Sequence, residues 1–116
     1  MADARTPARY EVHLVALDPT QGSEIAKTRP CVIVSPDDTN RHLRTVVVVP
    51  LTGRTRSYRF RSDTNFGGTQ GQAAIDQIRA VDKSRLRRRL GILSDADIRQ
   101  LSATLTAYFA DQTLRR

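Results

Sequence analysis

Residues 23–29 read Ser-Glu-Ile-Ala-Lys-Thr-Arg and run into Pro30. Ser23, Glu24, Lys27, Thr28 and Arg29 therefore put two cations, one carboxylate and two hydroxyls within seven positions. Proline disfavours the helical region for the residue before it, so Arg29 should be extended at the mouth of the apolar run that follows. A guanidinium there can clamp a phosphate through its planar fork, or pair with Glu24 or a backbone carbonyl. Thr52 ends a run of four valines, Pro50 and Leu51, just before Gly53. Its hydroxyl can bond a phosphate oxygen or simply close the strand. Asp76 lies among Ala73, Ala74, Ile75 and Ile78. An unpaired buried charge is costly, so Asp76 is either functional or held by an arginine or by loop backbone, and the second reading is the simpler.

Other chemistries lack their residues. His13 and His42 stand in no metal-ligand spacing, and Gly67, Gly68 and Gly71 match neither a P-loop nor a dinucleotide fingerprint. Cys31 is the single cysteine, which excludes an internal disulfide; at the head of an apolar run it reads as a buried, inert thiol. No metal and no cofactor are expected.

Charge narrows the partners. Nineteen Lys and Arg against twelve Asp and Glu give a net charge of +7. All the cations but Lys27 and Lys83 are arginine, which points to nucleic acid or another polyanion, or to a GC-rich genome. The 116 residues suit one domain, expected over 10–114 behind a flexible segment 1–9. The chain has no apolar stretch of membrane-spanning length, and its first ten residues have no apolar secretion core. A cytoplasmic location is expected.

The elements that must position these residues read as follows. Residues 11–17 and 31–35 are strand candidates, joined by a long loop over 18–30. Pro36-Asp37-Asp38 reads as a turn. Residues 45–51 are the strongest strand, continuous enough to be buried on both faces. A basic turn at 52–57 leads into 58–62, where Tyr58 and Phe60 alternate with Arg59 and Arg61. Residues 63–71 read as a second flexible loop, 72–81 as β-like, and 82–91 as a helical turn leading into a strand. Residues 94–112 read as a helix capped by Ser94, with Asp95 and Asp97 in the first turn. Its stripe is Ile98, Leu101, Leu105 and Tyr108. Short strands, long loops and one final helix imply a small SH3-like or OB-like barrel.

The stretches EVHLVALDPTQGSEIAKTRPCVIVSPD (11–37), VVVVPLT (46–52) and GQAAIDQIRAVDKSRLRRRLGILS (71–94) carry a resemblance. In order and spacing, over about 11–110, the chain resembles the MazF/PemK family of toxin endoribonucleases from type II toxin–antitoxin systems. The resemblance implies a mainly β, SH3-like barrel of the MazF/PemK/CcdB type with a C-terminal helix, acting as a homodimer. It implies metal-independent, sequence-specific cleavage of single-stranded RNA, mainly mRNA, and inhibition by a MazE-like antitoxin with an acidic tail. By motif the catalytic residues fall on Arg29 and Thr52. Some members use an aspartate that aligns with Asp76, but their histidine is Ser23 here and their arginine two positions earlier is Ala74. Two further departures are Tyr10, where the family has glycine, and His13, where it commonly has an aromatic residue.

On this resemblance the 2′-hydroxyl attacks the adjacent phosphodiester, leaving a 2′,3′-cyclic phosphate and a 5′-hydroxyl. Arg29 and Thr52 stabilise the charge that builds up, and Glu24 and Asp76 are candidates for base or for orienting Arg29. Thr20, Ser23, Lys27, Thr28, Arg54, Arg56 and Gln77 are the candidate RNA contacts. With three Tyr, three Phe and no Trp, stacking platforms should be scarce. Two alternatives remain: a gyrase poison of the related CcdB type, disfavoured by the ending Leu114-Arg115-Arg116, and a non-catalytic nucleic-acid-binding module.

Overall fold

The computed structural model describes residues 6–111. Seven antiparallel strands form one sheet. They are β1 (Glu11–Ala16), β2 (Thr28–Ile33), β3 (Thr45–Thr52), β4 (Arg61–Phe66), β5 (Thr69–Ala74), β6 (Arg79–Asp82) and β7 (Leu86–Ile92). Two helices, α1 (Asp37–His42) and α2 (Asp95–Phe109), complete the chain with 3₁₀ turns at Ile75–Gln77 and Lys83–Arg85.

The valine-rich β3 is the hub. One edge pairs Val48–Pro50 with β2; the other pairs Thr45–Val48 with β6 and Leu51–Thr52 with β5. Neighbours follow the order β4-β5-β3-β2-β1-β7, with β6 added on β3. The sheet curls until its end strands meet: a Cβ on Gly91 of β7 would lie 3.2 Å from the Phe66 ring of β4. This is the mainly β, SH3-like barrel with a C-terminal helix that the sequence led us to expect.

Side chains alternate across a strand, so the sheet feeds two cores. Val12, Val32, Val49, Ala73 and Ile75 pack beneath α2, whose Leu101 is fully buried and whose Ile98, Leu105 and Tyr108 lie against them. Val15, Cys31, Ile33, Val46 and Val48 fill the other side with Leu17 and Ile25. The expected cap of α2 is present, with the Asp97 N–H donating to Ser94 Oγ at 3.2 Å. Asp97 in turn accepts the Asn65 N–H at 2.9 Å and pins the helix to β4.

Four expectations need correction. β2 begins at Thr28 rather than Cys31, so Arg29 is a strand residue. The turn at 36–38 opens α1, a polar helix with one buried residue, Asn40, and so without an apolar stripe to reveal it. Residues 58–60 precede the strand, which starts at Arg61. Residues 63–71 are a hairpin, β4 turning into β5 at Gly67 and Gly68. Both glycines have positive φ (60° and 78°), as a tight hairpin turn requires.

Tyr10 and His13 also find their places. Tyr10 has φ 73°, a left-handed conformation that costs a non-glycine residue about 1–2 kcal/mol. Its ring packs on the first core, and its N–H donates to Ile33 O at 2.6 Å. His13 is buried with Nε2 2.9 Å from Glu11 Oε1; Glu11 also accepts from the Ala8 N–H and from Arg89 Nε. Burial pushes the Glu11 carboxyl up, but these bonds outweigh it and hold the group below the usual carboxylate range. Of the segment expected to be flexible, residues 1–5 lie outside the described residues, as does the ending Leu114-Arg115-Arg116. Pro7 is buried, and Arg9 bonds Asp37 through its N–H and Val34 O through its side chain.

Candidate active site

β2 and β3 pair Cys31 with Pro50, Val32 with Val49 and Ile33 with Val48. Carried two residues further, that register sets Arg29 opposite Thr52, where the ladder has opened. Both side chains line the same two adjoining cavities. Arg29 Nε donates to Ala26 O at 3.0 Å, and the terminal guanidinium nitrogens have no partner among the described residues. The Ala26 carbonyl bond thus leaves the outer end of the Arg29 fork open to the cavities. Thr52 Oγ1 accepts the Arg54 N–H at 3.1 Å, which leaves its own proton to donate.

β5 presses hard on this corner. A Cβ at Gly71 would sit 2.5 Å from Thr52 O and 3.3 Å from Thr52 C, so only glycine permits the observed approach. The neighbouring Gln72 is buried and clamps the loop that leaves Thr52. Its Oε1 accepts the Arg56 N–H at 2.9 Å while Nε2 donates to Arg56 O and to Asp63. The sequence does not reveal either residue; Gly71 and Gln72 carry no chemistry of their own, and only the position next to Thr52 marks them.

The loop after β1 forms the opposite wall. Its neck is closed by the Leu17 N–H to Lys27 O at 2.9 Å and the Lys27 N–H to Asp18 Oδ1 at 3.0 Å. Ile25 anchors it, its side chain against the second core and its N–H on Gln77 Oε1. This brings Ser23, Glu24, Arg54, Arg56, Arg61 and Gln77 together with Arg29 and Thr52 around a cavity of about 530 Å³. Thr20, Lys27 and Thr28 stand outside that lining; Thr20 Oγ1 instead reaches Asp18 at 3.4 Å.

Asp76 is the expected paired carboxylate. Arg61 donates to it twice, Nε to Oδ1 at 2.6 Å and Nη2 to Oδ2 at 3.0 Å. That guanidinium holds the Asp76 carboxyl below its usual range against the opposing effect of burial, and Asp76 raises Arg61 in return. Both Asp76 oxygens are thus engaged. With Arg61 neutralised, Arg29, Arg54 and Arg56 face Glu24 alone, and the trough stays cationic. Burial pushes the Cys31 thiol up to about 12, against the pull of Arg79 and Arg29, as befits an inert group.

Four of the six aromatic side chains gather in one place. Tyr58, Phe60, Tyr108 and Phe109 form a chain of edge-to-face rings beside the trough's loop, with the Arg59 guanidinium 4.6 Å from the Phe60 centroid. Among the described residues no group of three or more His, Cys, Asp or Glu could hold a metal ion, and no helix is long and apolar enough to cross a membrane.

Known proteins resemble this chain in sequence and fold. The chain is 30% identical over 113 residues to the endoribonuclease MazF of Staphylococcus saprophyticus, covering 92% of this chain and 94% of that protein. Its fold matches the crystal structure of MazF from Deinococcus radiodurans with a TM-score of 0.79 at 22% identity, covering 90% of this chain and 96% of that one. A mycobacterial endoribonuclease in complex with its cognate antitoxin matches with a TM-score of 0.74 at 25% identity, over 87% of this chain and 92% of that one. The family model for the PemK-like, MazF-like toxin of type II toxin-antitoxin systems matches residues 8–109, and the chain belongs to that family.

Proposed function

We propose that this toxin is a metal-independent endoribonuclease that cuts single-stranded RNA, mainly mRNA, at short sequence motifs and so arrests translation. The observation that carries the reading is the meeting of Arg29 and Thr52 from separate strands at the junction of two cavities. Arg29 offers two unengaged terminal nitrogens and Thr52 a free proton to one phosphate. The 2′-oxygen attacks phosphorus as the bond to the 5′-oxygen breaks, and the leaving oxygen takes up a proton. Negative charge gathers on the non-bridging oxygens, where fixed donors act most strongly. A guanidinium stays protonated, so Arg29 clamps and does not abstract the 2′-proton. Asp76 is tied to Arg61 by both oxygens, which leaves Glu24 as the carboxylate in the trough for proton removal.

Ser23, Arg54, Arg56 and Gln77 contact the RNA along this trough, with Thr20, Lys27 and Thr28 in its approaches. The chain works in the cytoplasm as a homodimer, and a MazE-like antitoxin lays an acidic segment over the cationic trough. The mycobacterial relative solved with its antitoxin supports that pairing. The test is incubation of the purified protein with single-stranded RNA in EDTA. Wild type yields fragments ending in 2′,3′-cyclic phosphate, and Arg29→Ala folds but does not cut. Normal cutting by Arg29→Ala overturns the assignment, while intact RNA with gyrase inhibition supports the CcdB-type alternative.

A further inference from the structure

A second cavity, of about 380 Å³, opens from the other side of Arg29 and Thr52 under the β4–β5 hairpin. We propose that it receives the unpaired nucleobase next to the cleaved linkage, and that Gln70 reads that base's edge. This rests on the ribonuclease reading above and adds to it where one base is recognised.

The walls suit a flat aromatic heterocycle. Pro30, Leu51 and Phe66 supply apolar surface, while Thr64, Thr69 and Gln70 supply hydrogen-bonding groups. The volume falls within the usual range of small-molecule sites. Phe66 has a fixed seat: its ring lies against the backbone of Gly91, where a Cβ would come within 3.2 Å of it. Gly91 thus keeps β7 bare for the ring, and the ring becomes a wall of the cavity.

The two glutamines of β5 differ in use. Gln72 spends its amide on Arg56 and Asp63, whereas the Gln70 side chain is exposed and has no hydrogen-bond partner among the described residues. A free amide offers two N–H donors and a carbonyl acceptor, a set that can match a base edge in two directions at once. Sequence-specific recognition of single-stranded RNA works on bases splayed out of the strand in this way. Because Arg29 and Thr52 form one wall, a base here belongs to a nucleotide flanking the phosphate they hold.

The experiment is cleavage of a randomised single-stranded RNA pool by the full chain in EDTA, with both fragment ends sequenced. Wild type should show a base preference at one position adjoining the cut. Gln70→Ala should weaken that preference roughly 5- to 100-fold relative to those at the other positions. Gln70→Glu, which exchanges donors for an acceptor, should favour a different base there. Phe66→Leu should weaken the same position only. If wild type cuts the pool and all three variants keep every preference unchanged, the inference falls and the nuclease reading stands. If Gln70→Ala stops cleavage of every sequence, Gln70 serves the chemical step and the inference also falls. If wild type leaves the pool intact, the nuclease reading fails and takes the inference with it.

Discussion

Gly71→Ala tests how finely the fold sets the Arg29–Thr52 pair. The added methyl carbon would start 2.5 Å from Thr52 O, 3.3 Å from Thr52 C and 3.6 Å from Gly53 Cα. The obstacle is backbone, so no side chain can swing away. Restoring ordinary contact moves the end of β3 from β5 by roughly 1 Å, and a misplacement of that size can lower a rate about 10²-fold. Overpacking adds a stability loss of about 1–3 kcal/mol, which a folded domain of this size survives. Cleavage of a quenched fluorescent RNA should therefore fall about 10²-fold in kcat, with a lowered but cooperative thermal transition. If the loss acts through Thr52, the double variant Gly71→Ala/Thr52→Ala should lose no more than Thr52→Ala alone. Multiplying losses in the double variant, or activity within threefold of wild type in the single one, would refute the reasoning.

Thr52→Val, which keeps the β-branched shape and removes the hydroxyl, should reduce kcat about 10²–10³-fold, whereas Thr52→Ser should retain most of it; single-turnover kinetics would separate the two. Asp76→Asn should cost about 1–3 kcal/mol in urea unfolding, because Arg61 loses a charged partner in a nearly buried setting; an unchanged midpoint would contradict the pairing. The folded-state pKa values of Asp76 and Glu11 lie below their unfolded ones, so each contributes stability above the unfolded carboxylate pKa that is lost as pH falls through the folded value. Stability measured from pH 6 to pH 2 should decline on the acid side, and less steeply in Asp76→Asn. Cys31, raised to about 12 by burial, should resist a thiol reagent at pH 8 until the protein unfolds; rapid labelling of the native chain would contradict its placement.

Strongly patterned segments are legible in the order of residues. Four valines and a proline-bounded apolar run specify β3 and the core of β2, and Ser94 with its apolar stripe specifies α2. Weakly patterned segments are not legible in this way. The hairpin over 63–71 is built from Asp, Thr, Asn, Gly and Gln around a single Phe66, most of them residues of little β-propensity, and it forms because β5 pairs with β3 and β4 closes over it. α1 shows no apolar face, because its one buried side chain is Asn40 bonding Ser35.

The sequence by itself determined the residue types of the site, the cationic balance and the extended backbone at Arg29, since these follow from side-chain chemistry and from Pro30. That Asp76 needed a partner was also readable, because a carboxylate among apolar neighbours must be compensated. Which arginine would answer it, that Gly71 would let β5 lie against Thr52, and that Tyr58 and Phe60 would meet Tyr108 and Phe109 of α2 were decided by the tertiary structure alone. Each depends on strand register and sheet curl. Those bring together residues far apart along the chain, and local sequence preferences do not encode such distances.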